Sequence, residues 1–136
     1  MKEKDLMKVY NTVILPAVEY LSVVYHSLIP QYISDKLEAV QKLALSIIFA
    51  NKSYKKLITD GTVELLSDRR EKAVKDFAIK ASMSDRFQKS WFPMANQTDR
   101  IVRISTREKY VPTLCRTERM RNNPVQYMIR QLNNMQ

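Results

Sequence analysis

A chain of 136 residues with a 45% hydrophobic share is long enough for one domain that buries roughly two-thirds of its unfolded surface, and too apolar for a disordered tail. The single glycine, Gly61, argues against sheets closed by tight hairpins, where glycine supplies positive φ, and for helices joined by polar turns. One cysteine (Cys115) and one histidine (His26) exclude an internal disulfide and a closed Cys/His zinc site, and the formal charge of +9 points to a polyanionic partner.

The first predicted helix runs from about Asp5 to Tyr25, where Leu6, Val9, Tyr10, Val13, Ala17, Tyr20, Leu21 and Val24 recur at helical spacing. Pro16 removes a backbone donor in its middle, so the helix is expected to kink or split there, before a break at Ser27 to Pro30. A second helix is predicted from Ser34 to about Ala50, with Ser34 as N-cap and Asp35 at the positive end of the dipole. Its expected core stripe is Ile33, Leu37, Val40, Ala44 and Ile47, widened by Leu43 and Ile48. Asp60-Gly61 marks a turn. A third helix follows from Val63 or Ser67 to Phe87, with Leu66, Ala73, Val74, Phe77, Ala78 and Ala81 on its apolar face. From Ser90 to Pro112 the pattern is irregular; Ile101, Arg103 and Ser105 alternate with Val102, Ile104 and Thr106, as in a short strand or an extended arm. Asn123 and Pro124 then read as N-cap and first position of a final helix with the stripe Val125, Met128, Ile129 and Leu132. The expected fold is therefore all-α: four to five helices, the first kinked at Pro16, with an irregular Arg-rich arm before the last. Residues 1–89 would form a helical core and 90–136 a basic extension packing on it, within one domain.

The charge is segregated. Residues 1–50 hold five Lys and five acids, whereas residues 51–136 hold eighteen Lys or Arg against nine acids. From Arg100 onward there are seven Arg and one Lys. Arginine presents a planar fork of donors that matches phosphate, while lysine is a hydrated point charge. Arg100, Arg103, Arg107, Lys109, Arg116, Arg119 and Arg121 are the leading nucleic-acid-binding set, because Glu108 and Glu118 cannot neutralise them all. Arg69 and Arg70 form a second candidate group, with pairing to Glu64, Asp68 or Glu71, or capping of the packing between helices, as the structural alternative. Lys55 and Lys56 beside Tyr54 form a third, with a solvated turn as its alternative. Trp91-Phe92 either stacks on a base or anchors a loop to the core.

Nothing in the pattern suggests a catalytic residue, a metal or a cofactor. Two-metal polymerase chemistry needs converging carboxylates, and no adjacent Asp-Asp pair occurs; Asp68 and Glu71 stand among Arg69, Arg70 and Lys72. His26 and Cys115 have no accompanying base or acid. The start, Met1 to Asp5, lacks the apolar run of a signal peptide, and no window approaches the roughly 20 apolar residues of a membrane span. The expectation is a soluble intracellular chain, nuclear or cytoplasmic, without a membrane partner.

Several spacings resemble the region after the catalytic palm in reverse transcriptases of non-LTR (LINE-type) retrotransposons. They are Tyr10 with Ile14-Leu15-Pro16 and Glu19-Tyr20, then Pro30, Ile33, Leu37-Glu38 and Val40-Gln41-Lys42, followed by Ala44 and Ile47-Ile48. Tyr54, Val63-Glu64-Leu65-Leu66 and Arg69-Arg70 continue the series. Cys115 to Arg119, Asn122-Asn123-Pro124 and Met128 to Asn133 look like the extreme C-terminus of some such polymerases. Tyr25 stands where Trp is frequent, and Leu43 where a second Arg is frequent. The resemblance implies a thumb-like, palm-less element that contacts the backbone of RNA or an RNA–DNA duplex. The alternative is a helical interaction module that binds a partner protein chain through its apolar N-terminal helices, marked by a large exposed apolar patch between Leu6 and Ile48.

Overall fold

The computed structural model describes residues 2–94 and 109–135. Among these the fold is all-α without a strand; Met94 and Tyr110 form an isolated antiparallel bridge. The chain divides into two compact units, Met1–Ser22 with Ile29–Glu71, and Val23–Leu28 with Lys72–Gln136.

In the first unit, α1 (Glu3–Val9) passes into a π-helical turn (Tyr10–Ile14) and then α2 (Leu15–Glu19). The Leu15 N–H reaches the Tyr10 carbonyl five residues back. Pro16 gives the physical reason: it has no N–H for the Thr12 carbonyl and its ring crowds that group, and a widened turn relieves the clash without ending the helix. The extra residue also moves the buried face. Leu6, Met7, Tyr10, Ile14 and Leu15 pack into the core, while the expected core residues Val9, Val13, Tyr20 and Leu21 are exposed. The helix breaks at Leu21, whose φ of 55° is unusual for a branched residue, and the short α3 (Ser22–Tyr25) that follows belongs from Val23 onward to the second unit.

Helix α4 (Gln31–Ile48) starts earlier than expected, with Pro30 in an extended N-cap conformation. Ser34 is thus an interior residue, not a cap. The buried side of α4 is Gln41, Leu45 and Ile48, and the expected stripe residues Val40, Leu43 and Ile47 face solvent. Both faces are apolar in sequence. The buried one carries Gln41, whose Nε2 donates to the Glu64 carbonyl at 3.0 Å. Tyr10, Leu45, Ile48, Phe49, Leu57 and Val63 form the core of this unit.

Helix α5 (Tyr54–Thr59) ends in a Schellman motif: the Gly61 N–H bonds the Ile58 carbonyl and the Thr62 N–H bonds the Leu57 carbonyl, both at 3.0 Å. Gly61 has φ of 68°, which is why glycine stands there. Glu38 joins the next element. One of its oxygens accepts from the Ser67 N–H at 2.9 Å, and the other accepts from the Tyr54 hydroxyl at 3.1 Å. A carboxylate thereby caps the positive end of α6 (Leu66–Ser82).

The second unit is built on the later part of α6, with α7 (Asp85–Trp91), α8 (Glu118–Arg121) and α9 (Pro124–Asn134). The single helix expected to run to Phe87 stops at Ser82, because Ser84 takes an extended N-cap conformation and Asp85 opens a new first turn. Val74, Ala78 and Ala81 pack with Phe92, Tyr110, Met128, Ile129 and Leu132. The boundary at 71/72 thus differs from the expected one at 89/90. Residues beyond 89 supply most of this core. Helix α9 matches its expectation: the Asn123 side chain accepts from the Val125 N–H at 3.0 Å, Pro124 follows, and Met128, Ile129 and Leu132 are buried.

Candidate nucleic-acid interface

The segment leading from Lys109 to α8 has no regular secondary structure, yet it is held at three points. Asn133 accepts from the Tyr110 N–H at 3.2 Å and donates to the Tyr110 carbonyl at 3.0 Å. Gln126 accepts from the Thr113 N–H at 3.1 Å, and the Val111 N–H bonds the Pro93 carbonyl at 2.9 Å. The spacing is geometrically consistent. Seven helical residues rise about 10.5 Å, and three extended residues span about 10 Å. Helix α9 therefore lays residues 110–113 along itself in the opposite direction. The polar positions Gln126 and Asn133, seven apart, were the available sequence signal for this, and sequence reasoning missed them.

That frame presents Arg116, Arg119 and Arg121, all exposed, on the stretch that enters and forms α8. Thr117 caps α8 by accepting from the Met120 N–H at 3.3 Å. Arg130 of α9 donates to the Arg121 carbonyl at 2.7 Å and lies over the Tyr127 ring, 5.9 Å from its centroid. It brings a fourth guanidinium to α8, and the sequence-derived set did not include it. None of Arg116, Arg119 and Arg121 is in an ion pair among the described residues, where Glu118 is the one acid after Lys109. Lys109 is exposed beside the Tyr110 ring, 5.5 Å from its centroid, and the reversed course of the segment sets it toward the far end of α9 from α8. Arg100, Arg103 and Arg107, and the expected strand or arm at 101–106, lie outside the described residues.

The first-unit candidates separate. Arg70 is 1% exposed and therefore cannot meet a phosphate at the surface. It stands one helical turn from both Leu66 and Val74, on the buried stripe of α6, and its Nη2 donates to the Ser34 hydroxyl at 2.6 Å. Its Nε and Nη1 are buried without hydrogen-bond partners. Arg69 grips both oxygens of Glu19 and lies 3.8 Å from Glu64, so most of its charge is already matched. The Glu19 hydrogen bond, ahead of the Coulombic effect of the two acids, holds its proton more tightly than usual. Lys55 and Lys56 stay exposed on α5, but Tyr54 is unsuited to stacking because it packs on the core and its hydroxyl is bonded to Glu38. Phe92 is fully buried and Trp91 packs against Phe87 at 4.6 Å, which assigns this pair to anchoring.

One cavity of about 190 Å³ opens in the first unit, lined among others by Tyr10, Gln41, Gly61, Glu64 and Arg69. Burial first, with Arg69 opposing, raises the pKa of the Tyr10 phenol. Arg69 is the one cation of its lining, and Glu19 and Glu64 already match that charge. Among the described residues no helix is long and apolar enough to cross a membrane. No family model matches the chain, and neither a curated protein nor a solved structure does.

Proposed function

We propose that this chain is a non-catalytic nucleic-acid-binding module of reverse-transcriptase descent. It acts in the nucleus or cytoplasm and holds RNA or an RNA–DNA duplex by the phosphate backbone, with little sequence preference. The observation that supports this is the group Arg116, Arg119 and Arg121, exposed, without carboxylate partners, and carried on a segment tied to α9. Unpaired guanidiniums on a fixed frame suit phosphate contacts, which position a duplex without reading its bases.

The test is binding of a labelled RNA–DNA hybrid across about 50–200 mM salt, where five phosphate contacts would lower affinity by roughly two to three orders of magnitude. Replacing Arg116, Arg119 and Arg121 together with Gln should flatten the log–log salt slope by about 2–3. Equal slopes and affinities for the two proteins, with helicity intact, would remove these residues from the interface. The solvent-facing Val40, Leu43 and Ile47 favour a second reading, in which the N-terminal helices also bind a protein chain.

A further inference from the structure

Helix α4 carries an apolar face that its own unit leaves uncovered. Ile33, Val40 and Ile47 recur every seven residues, with Lys36 and Leu43 three residues after the first two. Val40, Leu43 and Ile47 are 48%, 64% and 66% exposed. Alternating spacings of three and four form the seam of paired helices. The flanking residues Ala39 and Ser46 are small and exposed, so a second helix can approach to about 8–10 Å. The Ser46 hydroxyl already donates to the Leu43 carbonyl at 2.7 Å and needs no further partner there.

Charge selects the occupant and its direction. Lys36 is the one charged residue in the seam. A parallel pair of identical helices would set Lys36 against its own copy. An antiparallel pair, with its two-fold axis between Val40 and Leu43, sets Val40 against the second copy's Leu43 and Lys36 against the second copy's Ile47. Each ammonium then lies near the carbonyl end of a helix whose last turn holds no basic residue, and the two helix dipoles oppose. We infer that α4 pairs antiparallel with the α4 of a second copy of this chain. This rests on the protein-partner reading and names the partner. The seam is short beside the roughly 800 Å² per partner of a standard interface, so the dissociation constant belongs on the order of 10–100 µM.

Sedimentation equilibrium of the nucleic-acid-free chain from about 5 to about 500 µM should show a reversible dimer in that range. Leu43→Glu should weaken it at least about tenfold with helicity unchanged, since that side chain lies largely in solvent. In a Cys115→Ser background, oxidation of a mixture of Val40→Cys and Leu43→Cys chains should give mainly the mixed disulfide dimer. Predominant Leu43→Cys self-crosslinking would overturn the antiparallel register while leaving the protein-partner reading intact. A chain that stays monomeric throughout would overturn self-pairing altogether.

Discussion

Replacing Asn133 with alanine tests whether α9 holds the basic segment in place. Its amide makes both hydrogen bonds to the backbone of Tyr110, a residue only 5% exposed. Alanine leaves that N–H and carbonyl without partners, and a buried orphaned group costs about 1–3 kcal/mol. Asn133 itself is half-buried, so water reaches part of the gap and the lower half of that range applies. Alanine also favours helix over asparagine by no more than about 0.7 kcal/mol. The expected net loss is about 2–3 kcal/mol. Asn133→Asp should be at least as damaging at neutral pH, because it keeps the acceptor for the N–H but turns a carboxylate oxygen toward the Tyr110 carbonyl. Trp91, the only tryptophan, packs against the core of this unit, so urea unfolding followed by its fluorescence reports on the right structure. A change of under about 0.5 kcal/mol for Asn133→Ala, the size of an ordinary surface substitution, would refute the clamp.

Arg70→Met should leave stability unchanged or raise it by about 1–3 kcal/mol in urea unfolding followed by circular dichroism. It removes two buried donors without partners at the cost of one bond to Ser34. A loss of more than about 2 kcal/mol would mean that the guanidinium is better satisfied than its surroundings indicate. The Tyr54 phenol is held well above its ordinary pKa, first by burial and then by the charge and hydrogen bond of Glu38. The folded state thus keeps this proton more tightly than the unfolded chain does. The stability it contributes is complete below the unfolded value of about 10 and declines as pH rises beyond it. Tyr54→Phe should therefore flatten the fall in stability between about pH 10 and 12 while lowering stability at neutral pH by about 1 kcal/mol. An unchanged alkaline slope would refute the assignment.

Where the physics is local, the sequence was sufficient. The Asn123-Pro124 start of α9 and its stripe follow from a side chain capping its own helix and from a 3.6-residue period. The turn at Gly61 follows from the one residue free to adopt a positive φ. The accumulation of unmatched arginine after residue 100 is a matter of counting.

The tertiary structure decided what depends on competition between equivalent options. Helix α4 offers two apolar faces, and which one is buried depends on where the Glu64 carbonyl meets Gln41, a contact 23 residues apart in the chain. Pro16 announced a disturbance, but only the packed helix fixed it as a widened turn, which exposed Val13 and turned Ile14 partly into the core. The adjacent Arg69 and Arg70 look alike in sequence. One helical step of about 100° takes Arg69 toward Glu19 and Arg70 into the interior. The same holds for the candidate interface: composition supplied its charge, but distant hydrogen bonds from Gln126, Arg130 and Asn133 determine which arginines share a frame. Helical period and capping act over a few residues, whereas burial and pairing depend on which distant surfaces meet.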